Sequence, residues 1–443
     1  MEVREVWITG AGMLTPLGAG VDENWAAVRA GRRGIERQPQ QAEAPFPENF
    51  LYFGTVDGCD NPPEVPPKLA SQRKFLNRSS ILGLHAAREA IESAGVDFAA
   101  LPPERKSLYI GSGDFTRLEY LDFYSSIAEV AGPGWAPPDA EALNELALHQ
   151  VNPFYLLEGL ANNLFSYLSA SYEIMGTNGS LSSLSSCGAQ ALEACDRALR
   201  WGKADFGLVV GCGCWISALI RFELDGLGIL SRALDGAESF RPFDRRRDGF
   251  FPAEGAAALV IEAADAARAR GARPIGRILG TGNFQEVTSG AHVSVPLTAA
   301  ARACRSAVAE GGVAAGEVSF ILPHGSGTKK GDRMEMRALK AFLGNAEAGA
   351  AAGVEVEVEK VPIAPWKPYT GHMGSASDIG EMILGLRALE EGALPPAPGF
   401  ERAEKEFQVL DIPAEERGIR GNTFLSLSHG LGGQSSATLL SAP

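Results

Sequence analysis

The run Gly179-Ser180-Leu181-Ser182-Ser183-Leu184-Ser185-Ser186 leads into Cys187-Gly188-Ala189-Gln190, which sets a cysteine at the junction of a strand-like run and a helix. Ala191, Leu192, Cys195, Ala198 and Leu199 recur at helical spacing, so a helix is predicted from about Cys187 to Trp201-Gly202. Unpaired amides and the positive end of the dipole at such a start favour a thiolate, the form that attacks carbonyl carbon. Small Gly188 and Ala189 leave room for a substrate to approach the sulfur. A buried structural cysteine would read the same way. Downstream, His324, His372 and His429 each sit in a glycine-flanked segment: Pro323-His324-Gly325-Ser326-Gly327-Thr328, Thr370-Gly371-His372-Met373-Gly374 and Ser428-His429-Gly430-Leu431-Gly432-Gly433. One loop histidine alone suits a surface or structural role. Three in one kind of turn, after a helix-start cysteine, fit a cysteine–histidine site on loops that a rigid scaffold brings together.

The elements that must position these groups alternate along the chain. Val6 to Thr9 reads as a buried strand turning at Gly10-Ala11-Gly12, which lacks the third glycine of a dinucleotide fingerprint. A helix is predicted over Ser79–Ala94, and strands over Phe206–Gly211 and Ala256–Glu262. At Ile275-Gly276-Arg277-Ile278-Leu279 a second strand-and-helix series begins. Segment 116–160 reads as helical with open boundaries, and the Ala/Gly-rich 344–354 as a surface loop. The six cysteines at 59, 187, 195, 212, 214 and 304 are scattered, so a reducing compartment is inferred. Cys212-Gly213-Cys214 ends a strand without partners at zinc spacing, so these read as buried small residues.

With 443 residues the chain exceeds one ordinary core, and two fused halves are expected, 1–262 carrying the cysteine and 263–443 the histidines. A net charge of −14 argues against an electrostatic nucleic-acid binder, while a local basic patch can still meet an acidic protein. No apolar run is long enough to cross a bilayer and no leader-like start is present, so a cytoplasmic protein away from membranes is expected.

The sequence resembles the β-ketoacyl-acyl-carrier-protein synthases of fatty acid and type II polyketide synthesis, in their elongating Cys-His-His branch. The likeness runs from Ile8-Thr9-Gly10-Ala11-Gly12 through Cys187, Arg241-Pro242-Phe243-Asp244, Asp248-Gly249-Phe250, His324-Gly325, Gly331-Asp332, Glu335 and Lys367 to Gly430-Leu431-Gly432-Gly433. It implies an α/β, thiolase-like fold of two similar halves in a five-layered αβαβα sandwich. It implies too that Cys187 takes an acyl group from phosphopantetheine, that the Cys187 and His429 backbone N–H groups form an oxyanion hole, and that His324 and His372 stabilise the malonyl enolate. Lys367 would pair with Glu335 to hold the histidine loops, Ser326 and Thr328 would contact the pantetheine amides, and Phe250 would border the malonyl site. Lys68, Arg73, Lys74 and Arg78 form a basic cluster near where the family docks its acidic carrier protein; a solvated basic face is the other reading. No metal or redox cofactor is implied. The implied partners are acyl carrier protein and a second subunit, either another copy or a chain-length-factor-like chain.

His429 departs from the family, which carries a phenylalanine gate there. A smaller, polar, titratable ring suits a polar, unsaturated or aryl primer, which favours a specialised polyketide, polyene or modified fatty-acid synthase. A non-decarboxylating acyltransferase and a chain-length partner subunit stay open beside it, although the partner subunits typically lack the cysteine.

Overall fold

The computed structural model describes residues 3–40, 46–64, 66–112, 121–153, 162–182, 184–287, 294–344 and 360–443. Its strands are β1 (Val6–Thr15), β2 (Lys106–Gly111), β3 (Asn178–Leu181), β4 (Phe206–Cys214), β5 (Glu254–Ala263), β6 (Gly276–Gln285), β7 (Phe320–Leu322), β8 (Thr423–His429) and β9 (Gln434–Ser441). They run β3-β2-β4-β5-β1-β6-β9-β8-β7, a ten-stranded sheet once the two-residue strand Gly18–Ala19 on β1 is included. Outward from the short β1–β6 junction, where Val6, Trp7 and Ile8 face Ile278, Arg277 and Gly276, both directions show the same order. On one side β5, β4, β2 and β3 follow; on the other β9, β8, β7 and a parallel bridge from Ile321 to Ile363. The senses match as well, β4 to β2 and β8 to β7 being parallel and the inner pairs antiparallel.

The helices repeat in the same way. α1 (Arg78–Ala94) covers β1, β5 and β4, and α3 (Thr298–Gly311) covers β6 and β9. Between the two half-sheets lie α2 (Cys187–Arg200) and α5 (Ser375–Glu391), packed on each other, while α4 (Lys329–Leu343) follows β7 and packs on α3. Helix, sheet, paired helices, sheet and helix make five layers, and the apolar stripes of α2 and α5 meet in one core with Leu192, Leu199, Ile379 and Ile383. Leu192, Cys195 and Leu199 face that core. Arg197 and Arg200 close the last turn of α2 through pairs with Glu193 and Asp196.

The expected turn at Gly10-Ala11-Gly12 is instead the middle of β1, all ten of whose residues are buried. The glycines serve helix packing: a Cβ on Gly10 would stand 2.2 Å from the Ala90 carbonyl oxygen, and one on Gly12 2.1 Å from that of Ala86, both on α1. Gly280 and Gly282 do the same for Ala307 and Ala303 of α3, at 2.3 Å each. Within 116–160, helices span Leu121–Ala131 and Ala140–Gln150; 116–120 and 154–160 lie outside the described residues, as does the loop expected at 344–354 beyond Gly344. No helix among the described residues is long and apolar enough to cross a membrane.

Candidate active site

The predicted chemistry is carried at strand ends or on the segments just after them. The segment after β3 delivers Cys187, the end of β7 delivers His324, β8 ends on His429, and β4 leads to Trp215. His372 arrives from the helical turn Lys367–Thr370, just ahead of α5.

Cys187 is fully buried at the first position of α2. Gly188 beside it answers to packing rather than to substrate access, because a Cβ there would lie 2.3 Å from the Ser375 carbonyl oxygen at the start of α5. The Ser375 hydroxyl reaches the carbonyls of Gly111 and Cys212, at 2.7 and 2.8 Å, so it faces the ends of β2 and β4 together. Cys195 and Cys304 lie fully buried away from this point, where burial pushes their thiols up.

The three histidines form a row. The His324 ring lies 5.5 Å from that of His372 on one side and 5.5 Å from that of His429 on the other. Burial, reinforced by the nearby charge of Lys367, holds both His324 and His372 well below the ordinary histidine value, so both are neutral at neutral pH. The tautomer of His372 follows from its partners: Gly374 N–H donates to Nδ1 at 3.2 Å, so the ring proton sits on Nε2. That Nε2–H lies 3.4 Å from the Ser185 hydroxyl. Trp215 stacks on the same ring at 4.8 Å and 12°, and Phe250 packs against it at 4.7 Å, which leaves the imidazole little freedom to turn. Both ring nitrogens of His429 lack a hydrogen-bond partner among the described residues, with Nε2 3.4 Å from Glu335 Oε1.

The Lys367–Glu335 pair expected from the sequence does not form. Lys367 Nζ donates to Glu381 Oε2 of α5 at 2.8 Å, with both side chains buried. Glu335 instead accepts the backbone N–H groups of His324 and Gly325, at 2.6 and 2.8 Å, which fixes the His324 loop from α4. Asp332, one turn earlier, holds the next stretch by accepting from Gly327 N–H, the Ser326 hydroxyl and Phe243 N–H. Thr328 caps α4 by accepting from Gly331 N–H, and its hydroxyl lies 2.9 Å from that of Ser326.

His324, His372, His429, Phe250, Ser326 and Thr328 all line one cavity of about 480 Å³, with Trp215 and Ser185 at its wall. Of the basic cluster, Lys68, Arg73 and Lys74 are exposed on the turn-rich stretch Pro67–Phe75. Arg78 drops out of that cationic face, because its guanidinium is engaged by Glu254, Asp60 and the carbonyls of Cys59 and Val56. Sequence reasoning missed Trp215 and Glu381. A tryptophan directly after a buried strand, at its carboxyl end, was the available signal for the first; a carboxylate set among the apolar residues of the helix after His372 was the signal for the second.

Residues 3–267 match the N-terminal domain family of β-ketoacyl synthases and residues 275–401 its C-terminal domain family. The chain is 25% identical to a 3-oxoacyl-[acyl-carrier-protein] synthase 2 of Coxiella burnetii, over 100% of this chain and 99% of the relative. It is 29% identical to the tetracenomycin polyketide synthase ketoacyl synthase alpha subunit of Streptomyces glaucescens, over 99% and 97%. A solved type II polyketide acyl-carrier protein in complex with its ketosynthase bound to the hexaketide overlays with a TM-score of 0.80 at 22% identity, covering 100% of both chains. The matches span nearly the whole chain, and with them the protein belongs to the β-ketoacyl synthase family, acyltransferases of the condensing class.

Proposed function

We propose that the protein is a ketosynthase that condenses a Cys187-bound acyl group with malonyl-acyl carrier protein, in a specialised polyketide, polyene or modified fatty-acid pathway. In the first half-reaction the Cys187 thiolate adds to the thioester carbonyl and the pantetheine thiolate leaves. The backbone N–H groups of Cys187 and His429 receive the oxyanion. In the second, malonyl thioester loses carbon dioxide, and the enolate carbon attacks the acyl-Cys187 carbonyl and expels the thiolate. His324 and His372 donate to the thioester oxygen on which charge builds. The Nε2–H of His372, in a ring kept neutral and held by Trp215 and Gly374, is the observation that carries this reading. Ser326, Thr328 and Phe250 lie on the cavity wall, where the two hydroxyls would meet the pantetheine amides and the ring would border the malonyl group. Release of carbon dioxide from malonyl carrier protein, in step with product, tests the assignment against acyl transfer without decarboxylation.

The specialised substrate rests on His429, a buried imidazole on the cavity wall. His429→Phe keeps the backbone N–H for the oxyanion, so selectivity is expected to change more than chemistry. In a competition between saturated and conjugated acyl-carrier thioesters, the ratio of acyl-enzyme masses should move toward the saturated chain. An unchanged ratio with intact activity removes the support for a specialised primer.

The carrier is proposed to dock on Lys68, Arg73 and Lys74, exposed cations in a chain of charge −14. Charge reversal at Arg73 and Lys74 should raise KM for carrier-bound substrate and leave turnover of a short pantetheine thioester nearly unchanged. Equal losses on both substrates would place the effect elsewhere than docking. The second subunit is proposed to be either a copy of this chain or a chain-length-factor-like partner, which mass measurement of the native assembly distinguishes.

A further inference from the structure

Asp378 lies one turn into α5, 2% exposed, and does not reach the cavity. Its two oxygens go to two different parts of the site. Oδ2 accepts the Ala189 N–H at 3.1 Å, in the first turn of α2 and two residues past Cys187. Oδ1 accepts the Ser428 hydroxyl at 2.6 Å, on β8 and one residue ahead of His429. Contact is close enough that a Cβ on Gly188 would come within 3.3 Å of both Asp378 Cβ and Oδ2. One carboxyl therefore ties the start of the nucleophile helix to the end of the strand that carries the second oxyanion donor. Nothing else in the chemistry proposed above uses it, and a buried acid is costly unless its hydrogen bonds serve a purpose.

We propose that Asp378 is a positioning residue that holds the backbone N–H of Cys187 in register with that of His429, acting through Ala189 and Ser428. The inference rests on the oxyanion hole read above and deepens it. An oxyanion donor works only if it is in place before charge develops, and small displacements in such sites cost large factors in rate. Because the hole serves acyl transfer to Cys187 while His324 and His372 serve malonyl decarboxylation, the two half-reactions should respond differently.

The experiment compares wild type, Asp378→Ala, Asp378→Asn, Ser428→Ala and the Asp378→Ala/Ser428→Ala double variant. Two readouts are taken: single-turnover self-acylation across a range of acyl-carrier concentrations, and malonyl decarboxylation uncoupled from condensation. Asp378→Ala should lower the acylation rate constant on the order of 10²-fold, with half-saturation and decarboxylation unchanged. Asp378→Asn should recover most of that loss, since its amide oxygen can accept from Ala189 and its amide nitrogen can donate to Ser428 Oγ. Burial raises the Asp378 carboxyl to about 7, so a neutral isostere is a fair substitute. The double variant should be no slower than Asp378→Ala, because one bridge is being removed twice. Wild-type acylation in Asp378→Ala, or an equal fall in both half-reactions, overturns the proposal. If Asp378→Ala does not fold, Ser428→Ala decides: slowed acylation with intact decarboxylation supports the bridge, and unchanged acylation overturns it. Failure of wild type to acylate would overturn the Cys187 assignment and this inference with it, whereas an acylating wild type with an indifferent Asp378 removes this inference alone.

Discussion

Replacing Cys187 with alanine is expected to abolish self-acylation, because the sulfur is the one group proposed to hold the acyl chain covalently. The expectation is larger than for a residue that only stabilises charge, since the covalent bond has nowhere else to form. Cys195 and Cys304 do not take over, because both are fully buried and their thiols are pushed up by desolvation, which removes the thiolate that would react. Cys187, equally buried, differs in its place at the first position of α2, at the positive end of the helix dipole. Denaturing mass spectrometry after incubation with acyl-carrier thioesters checks the point. Should the alanine variant still gain the acyl mass, the nucleophile lies elsewhere and the condensing mechanism proposed here fails at its first step.

Much of this was legible because local rules and global packing agree along α2. Its apolar stripe at helical spacing fixes where the helix begins, and so where the cysteine stands. The glycine pairs were harder. Gly10-Ala11-Gly12 reads locally as a turn, yet the deciding force is tertiary: α1 lies so close to β1 that its carbonyls fill the space a Cβ would take. Ile278-Leu279-Gly280-Thr281-Gly282 carries the same signature against α3, so a trace of the internal repeat was present in the sequence. It went unread because the pattern is two glycines in a strand, which gains meaning only once the helix above them is placed.

Ion pairing shows the same limit. From sequence, Glu335 and Glu381 are both acids within reach of Lys367, and nothing in the spacing ranks them. The fold decides, since α4 turns Glu335 toward backbone donors of the His324 loop while α5 brings Glu381 to the amine. Asp378 was invisible for a related reason: its two partners, Ala189 and Ser428, are 189 and 50 residues away along the chain. An acid among small residues at a helix start gave no hint of which strands it would bridge.

The two buried histidines carry the other large expected effect. His324→Ala or His372→Ala should retain acylation of Cys187 while decarboxylation and condensation fall about 10²–10³-fold, the range for deleting one donor to a developing oxyanion, or about 2.7–4 kcal/mol. Each ring is neutral because burial opposes the imidazolium and the Lys367 charge opposes it further. A neutral ring donates one N–H, and for His372 that proton is fixed on Nε2 by the Gly374 N–H at Nδ1. His372→Gln, which can present an N–H near the same place, should therefore recover part of what alanine loses. The sign of the pH effect follows as well. Since both values are depressed in the folded protein, the rate of decarboxylation should pass through the ordinary histidine value of about 6.5 without a step, and protonation should intrude only at lower pH. Carbon dioxide released from labelled malonyl carrier protein measures the second half-reaction, and acyl-enzyme mass the first. Equal loss of both in the alanine variants would instead make the histidines activators of the cysteine, and a clear step in rate near 6.5 would mean that a ring on which the step depends titrates at its ordinary value rather than being held neutral.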